Sequence, residues 1–184
     1  MKRFRTISVL LVSLLVLSVV ILPNSPKAEA LQESTYKNDV PALAPKSDFL
    51  YRTQNNRIFI TKYIGTNEKI IIPETIDNLP VFAVTSKAFA DSGITYIKLP
   101  AALGNLASNA FNECDTLLRI DVDDSNPYFC SVDGVVYSKD RTILKVFPAG
   151  RGGDFTIPNG VTTVSNFAFY RCYQVENINM YNTV

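Results

Sequence analysis

The side chains able to do chemistry are few in kind. The 184-residue chain contains no histidine, which removes Ser-His-Asp and Cys-His nucleophile activation and histidine metal ligation together. Carboxylates remain, and the densest group is Asp121, Asp123, Asp124 and Asp133. Asp121 with Asp123 is the pair a weak hydrolase would need. Read as a calcium loop, the run puts Ser125 at position five, Asn126 where glycine is required and Val132 where glutamate is required. A solvated loop is the expectation. Gly150-Arg151-Gly152-Gly153 is rich in glycine but follows Pro148 and lacks the Lys-Ser/Thr of a phosphate loop. RGGD at 151–154 is not the integrin tripeptide. The residues thus predict no enzyme, with no catalytic residue, no cofactor and no metal site.

Thiols are the other reactive groups. Cys114 and Cys172 sit at one place in a repeated phrase, where a small apolar side chain suits an interior. Two buried thiols are expected. A disulfide between stacked turns is the alternative in an exported chain. Cys130 stands outside the phrase and is the expected free thiol.

That phrase must position everything else. Phe111 opens F-x-x-C-x-x-L-x-x-I-x-V, through Cys114, Leu117, Ile120 and Val122. Phe169 opens it again through Cys172, Val175, Ile178 and Met180, and Phe89 opens a copy one residue shorter through Ile94, Ile97 and Leu99. Each Phe follows an Ala, and Ile72-Pro73, Leu99-Pro100 and Ile157-Pro158 mark strand ends, since proline cannot donate to a ladder. The period predicts stacked units, each burying its apolar edge on the next. The Ala-Phe pair should start a short helical turn that Asn109 and Ser165 could cap. Strands at 57–63 and 69–72, with a turn at Gly65-Thr66-Asn67, predict an N-terminal hairpin cap over 57–72. Residues 126–150 predict an inserted hairpin, with strands at 135–137 and 142–147 around a turn at 138–141.

Ahead of the repeats lies a targeting pattern. Lys2, Arg3 and Arg5 precede an almost wholly apolar run at 7–22, and Ala28-Glu29-Ala30 gives an A-x-A cleavage site. Residues 1–30 read as a signal peptide, and the run is short of the ~20 residues of a spanning helix. Cleavage removes Lys2, Arg3, Arg5, Lys27 and Glu29. The 18 basic and 17 acidic residues fall to 14 and 16, a net of −2. No concentrated basic face for nucleic acid is expected, and no membrane insertion of the mature chain. Residues 31–48, with Pro41 and Pro45, read as a linker or disordered start. The remainder, 49–184, is one repeat domain.

The segments VTSKAF at 84–89, NAFNECDTLLRIDV at 109–122 and IPNGVTTVSNFAFYRCYQVENINM at 157–180 resemble the BspA-like leucine-rich repeats. NPYFCSVDGVVYSKDRTILKVFPAG at 126–150 resembles a segment common among them. The resemblance implies a leucine-rich-repeat solenoid with short parallel strands, on secreted or cell-surface bacterial proteins. Some members are similar to adhesins that bind host matrix proteins.

Strand alternation then picks out a surface. With Ile97 and Leu99 inward, Tyr96 and Lys98 face out, and the same rule exposes Arg119 and Asp121, then Asn177 and Asn179. Stacking predicts these six in two columns, suited to a protein or glycan partner. Tyr128, Phe129 and Tyr137 form a second candidate patch, or cover the insertion's own core. The expected function is a secreted or cell-surface noncatalytic binding module for protein interaction or adhesion. The alternatives are an ancillary domain of an extracellular enzyme and a structural fragment of a longer surface array.

Overall fold

The structure, a computed structural model, describes residues 40–180. The predicted signal peptide and residues 31–39 of the predicted linker lie outside the described residues. Residues 40–48 belong to the fold. β1 (Ala42–Leu43) pairs in parallel with Ile70–Ile71, Ala44 is buried, and a 3-10 turn at Lys46–Asp48 leads into the next strand.

β2 (Phe49–Gln54) and β3 (Arg57–Tyr63) form an antiparallel hairpin, so the cap spans 49–63 and not 57–72. Its turn is Asn55-Asn56, both at positive φ, which matches the twist of a two-residue hairpin loop. Gly65 is no hairpin turn. A β-carbon there would collide with the Tyr63 ring, so glycine is a packing requirement. The next strands are β4 (Lys69–Ile71), β5 (Thr75–Ile76), β6 (Leu79–Val84), β7 (Tyr96–Leu99), β8 (Asn105–Leu106) and β9 (Arg119–Val122). They are followed by β10 (Phe129–Val132), β11 (Val135–Ser138), β12 (Ile143–Val146), β13 (Gly153–Thr156), β14 (Thr163–Val164) and β15 (Val175–Asn179).

Each coil has three sides. One is the parallel sheet β1-β4-β7-β9, another is β3-β6-β8 with β2 and β5 flanking, and the third is the Ala-Phe turn. The turns are not helices. Ala88, Ala90 and Ser92 donate to the third residue back, while Lys87, Phe89 and Asp91 donate across to Asn109, Ala110 and Glu113 of the next coil. Alternate donors thus serve the turn and the stack. Asp91, Glu113 and Arg171, each two residues past the Phe, have φ near +60°, which stops a helix from propagating. Asn109 does not cap its turn. Its amide donates to Ser86 Oγ of the preceding coil at 2.9 Å. Ser165 serves through its backbone, donating to Leu144 O and accepting from Ala168 N.

The core is a column of rings. Phe49, Tyr63, Phe89 and Phe111 follow at 5.5, 5.7 and 5.2 Å between centroids, and Phe147 stacks on Phe169 at 5.1 Å. Two apolar clusters result, one from Ala44 to Val146 and a smaller one around Tyr137, Leu144, Phe147 and Ile157. The predicted inserted hairpin is a three-stranded meander, β10-β11-β12, with one strand more than the alternation at 135–147 showed. It lies between the clusters: Val136 joins the first, Val135 and Tyr137 the second.

The meander also repeats the cap. Tyr51 pairs with Ile60 and Ile60 with Val84; Tyr137 pairs with Leu144 and Leu144 with Val164. Tyr63 N donates to Ala88 O, and Phe147 N to Ala168 O. Ile72 N donates to Lys98 O, and Ile157 N to Asn179 O. The molecule is built twice over: a hairpin ending in a ring, an Ile-Pro strand, then an Ala-Phe turn.

Candidate binding face

Tyr-Ile-Lys-Leu in β7 and Arg-Ile-Asp-Val in β9 alternate as strands with one buried face. Ile97, Leu99, Ile120 and Val122 are buried. The parallel register sets Tyr96 beside Arg119 and Lys98 beside Asp121. Four of the six expected residues therefore meet, as two adjacent columns. Asp121 is the hub. Its Oδ2 accepts from Tyr96 Oη at 3.0 Å and from Arg119 Nε at 3.1 Å, while Oδ1 faces an Arg119 terminal nitrogen at 3.0 Å. Gly134 makes room for this. A β-carbon there would lie 2.6 Å from Arg119 Cγ, and its carbonyl accepts from Ile120 N.

Lys98 pairs instead with Asp123, at 3.1 Å from Oδ2. Ser125 caps the other oxygen of Asp123 through its hydroxyl at 2.6 Å and its amide at 3.1 Å. These Ser125 bonds, with help from Lys98, pull the Asp123 carboxyl down to about 2. That is opposite to what a general acid needs. Burial, with the Asp121 charge adding to it, pushes the Tyr96 phenol up to about 12, so it remains a neutral donor at neutral pH. Arg119's own hydrogen bond to Asp121 likewise raises the guanidinium. The residues line an open groove of about 560 Å³ with Val122, Asp124, Ser125 and Ser131. Its cations are each neutralised, so what it offers a partner is a ring, a flat guanidinium, hydroxyls and the exposed Asp124.

Asn177 and Asn179 do not join this face. Both are exposed, but they lie on β15, which pairs with β13 in a separate two-stranded sheet. They hold the positions that Tyr96 and Lys98 hold in the earlier module, but the meander interrupts the sheet after β9. Asn177 bonds Asp154 at 2.7 Å. The second patch also dissolves: Tyr137 and Phe129 are buried and only Tyr128 is exposed.

The acidic run is turn chemistry. Among the described residues no three metal-ligating side chains cluster. The glycine run serves close packing: a β-carbon at Gly150 would meet the backbone of Asp115–Leu117, and one at Gly152 would meet Gln174. All three cysteines are free. Cys114 is buried and Cys172 half-buried, with burial pushing each thiol up to about 11. The alternative, a disulfide between stacked turns, does not form, because the Phe147 coil lies between the two thiols. Cys172 Sγ meets Phe147 O, whereas Cys114 Sγ meets Ser92 and Ile94.

Strands stacked coil on coil, with rings in register and almost no helix, define a leucine-rich-repeat solenoid. The BspA type Leucine rich repeat region matches in six copies over residues 62–131 and 150–184, more than half of the chain. The protein belongs to this family. The matched segments omit most of the first hairpin and residues 132–149 of the meander. No curated protein matches. Among solved structures, the T. pallidum Leucine Rich Repeat protein is similar at 22% identity and a TM-score of 0.54, over 74% of this chain and 70% of that one. A leucine rich cell surface protein from Faecalibacterium prausnitzii is similar at 23% identity and a TM-score of 0.50, over 79% of this chain and 44% of that one. Both likenesses concern the fold. Among the described residues no helix is long and apolar enough to cross a membrane.

Proposed function

We propose that this is a noncatalytic binding module, secreted or held at the cell surface, that mediates protein interaction or adhesion through the β7–β9 face. One observation carries the reading: Tyr96, Lys98, Arg119 and Asp121 are register partners on adjacent parallel strands and share one groove. Tyr and Arg are the residues on which binding energy concentrates. Here both are held in one geometry by a common carboxylate, which lowers the ordering cost of docking. The basic start, apolar run and A-x-A pattern of residues 1–30 support export.

The test is capture of ligands from a defined mixture of matrix proteins and glycans, followed by affinity measurement. Tyr96→Ala with Arg119→Ala should weaken the captured partner about 30-fold or more, as loss of ~2 kcal/mol implies, with the melting temperature held. Unchanged binding rejects the face. A robust hydrolysis that disappears when Asp121 and Asp123 are both replaced rejects the noncatalytic reading.

A further inference from the structure

The outward side of the β2–β3 hairpin carries an arrangement that the fold does not require. Arg52 and Phe59 are register partners, and the Arg52 guanidinium lies 4.8 Å from the Phe59 ring centre. Phe59 meets Phe82 of β6 edge to face at 6.1 Å, and the Arg57 guanidinium lies 4.1 Å from the Phe82 centre. Phe82 rests on Gly104, where any β-carbon would overlap the ring. Both rings are half-buried and both arginines exposed. Arg52 bonds the Gln54 side chain at 2.9 Å. Among the described residues, no carboxylate pairs with Arg52, Arg57 or Lys62 of this hairpin, whereas Arg119 and Arg171 each hold an aspartate.

The meander is an internal control. By the register equivalence above, Arg52, Phe59 and Phe82 correspond to Ser138, Ile143 and Thr162, and only Arg57 has a cationic counterpart, Arg141. The same backbone pairing therefore forms without the row of cations and rings. A guanidinium lying on a ring keeps the N–H groups at its edge free for an anion. Stacking fixes its plane in advance, so a planar carboxylate or a sulfate can be gripped with little further ordering. Gln54, Thr61 and Asn105 are exposed around the row and can bond hydroxyls. The row itself lacks the exposed apolar anchor on which a protein interface centres. The chain's formal charge of +1 makes this a local feature and not a general attraction for polyanions.

We propose that the Arg52–Phe59–Phe82–Arg57 row binds an anionic polysaccharide, each guanidinium taking a carboxylate or sulfate group. The site is separate from the β7–β9 face. The experiment is binding of the full chain to immobilised heparin and polygalacturonate, with dextran and polyglutamate as controls. The wild type should bind both anionic glycans in a salt-sensitive way and leave dextran unbound. Arg52→Gln with Arg57→Gln should weaken this on the order of ten-fold or more, with circular dichroism and melting unchanged. Arg52→Lys with Arg57→Lys, which keeps charge but loses the planar fork, should lose several-fold. Arg141→Gln, at the exposed counterpart position in the meander, should bind the glycans like wild type. Undiminished binding by either arginine double variant, or tighter binding to polyglutamate than to the glycans, overturns the proposal.

Discussion

Every polar atom of the Asn126 side chain is bonded to backbone. Its amide donates to Pro100 O at 3.1 Å and Leu103 O at 2.8 Å, and its carbonyl accepts from Tyr128 N and Phe129 N, both at 2.8 Å. The residue is fully buried. It ties the loop after β7 to the start of the meander, and it leaves four backbone groups stranded if shortened. Asn126→Ala should therefore cost about 3 kcal/mol or more, since each orphaned buried group costs roughly 1–3 kcal/mol. Chemical denaturation checks this, and a loss below about 1 kcal/mol would reject the role. Asn126 shows the limit of reading residues by motif. Held against a calcium loop, it was a misfit at the glycine position. Its partners Pro100 and Leu103 lie more than twenty residues away, so no local pattern announces them. Tyr96, Lys98, Arg119 and Asp121 were legible because alternation within each strand and one repeat offset fix both their direction and their register.

The element that holds the coils in register is the Ala-Phe turn. Phe111 is buried and stacks on Phe89, and carbonyls of its turn (Asn109, Ala110 and Glu113) accept the stack bonds from Lys87, Phe89 and Asp91. Phe111→Ala should cost roughly 3–5 kcal/mol through lost burial and a cavity that a ring ladder cannot close. A melting temperature indistinguishable from wild type would mean that this ring does not set the repeat. The turn was visible in the sequence because Ala and Phe recur at fixed places. The hairpins were harder. Asn55-Asn56 sits between runs that alternate as strands, Phe49 with Tyr51 and Ile58 with Ile60, and that was the available signal for the true cap. Gly65 drew the assignment because glycine marks turns as well as close contacts, and sequence does not separate the two. Asn177 and Asn179 were misplaced for a topological reason. Their repeat phase is right, but a strand's neighbours depend on what is inserted between coils, and β10-β11-β12 cuts the sheet.

At the scale of the whole molecule, the doubled plan explains why there are two apolar clusters where a plain stack would have one. In a solenoid each unit contacts only its neighbours, so stability is a sum of local and nearest-interface contributions. The first cluster runs from Ala44 to Val146 and encloses the ring column from Phe49 to Phe111; the second is much smaller and rests on Phe147, Tyr137, Leu144, Ile157 and Val161. The two meet through β11, whose Val136 faces one and whose Val135 and Tyr137 face the other. The smaller cluster gives the later module less buried apolar contact to oppose opening. The later module should open first. Phe147 is the ring on which this module turns, stacked on Phe169 and edge to face with Phe155 at 4.7 Å. Phe147→Ala should lower hydrogen-exchange protection in β11 to β15 by tenfold or more, while amides of β3, β6 and β7 keep wild-type protection. Peptide-level exchange measured by mass spectrometry reads both halves at once. Equal loss of protection across the two halves would show instead that β11 couples the clusters into a single cooperative unit, because opening on one side of that strand would then expose Val136 along with Tyr137.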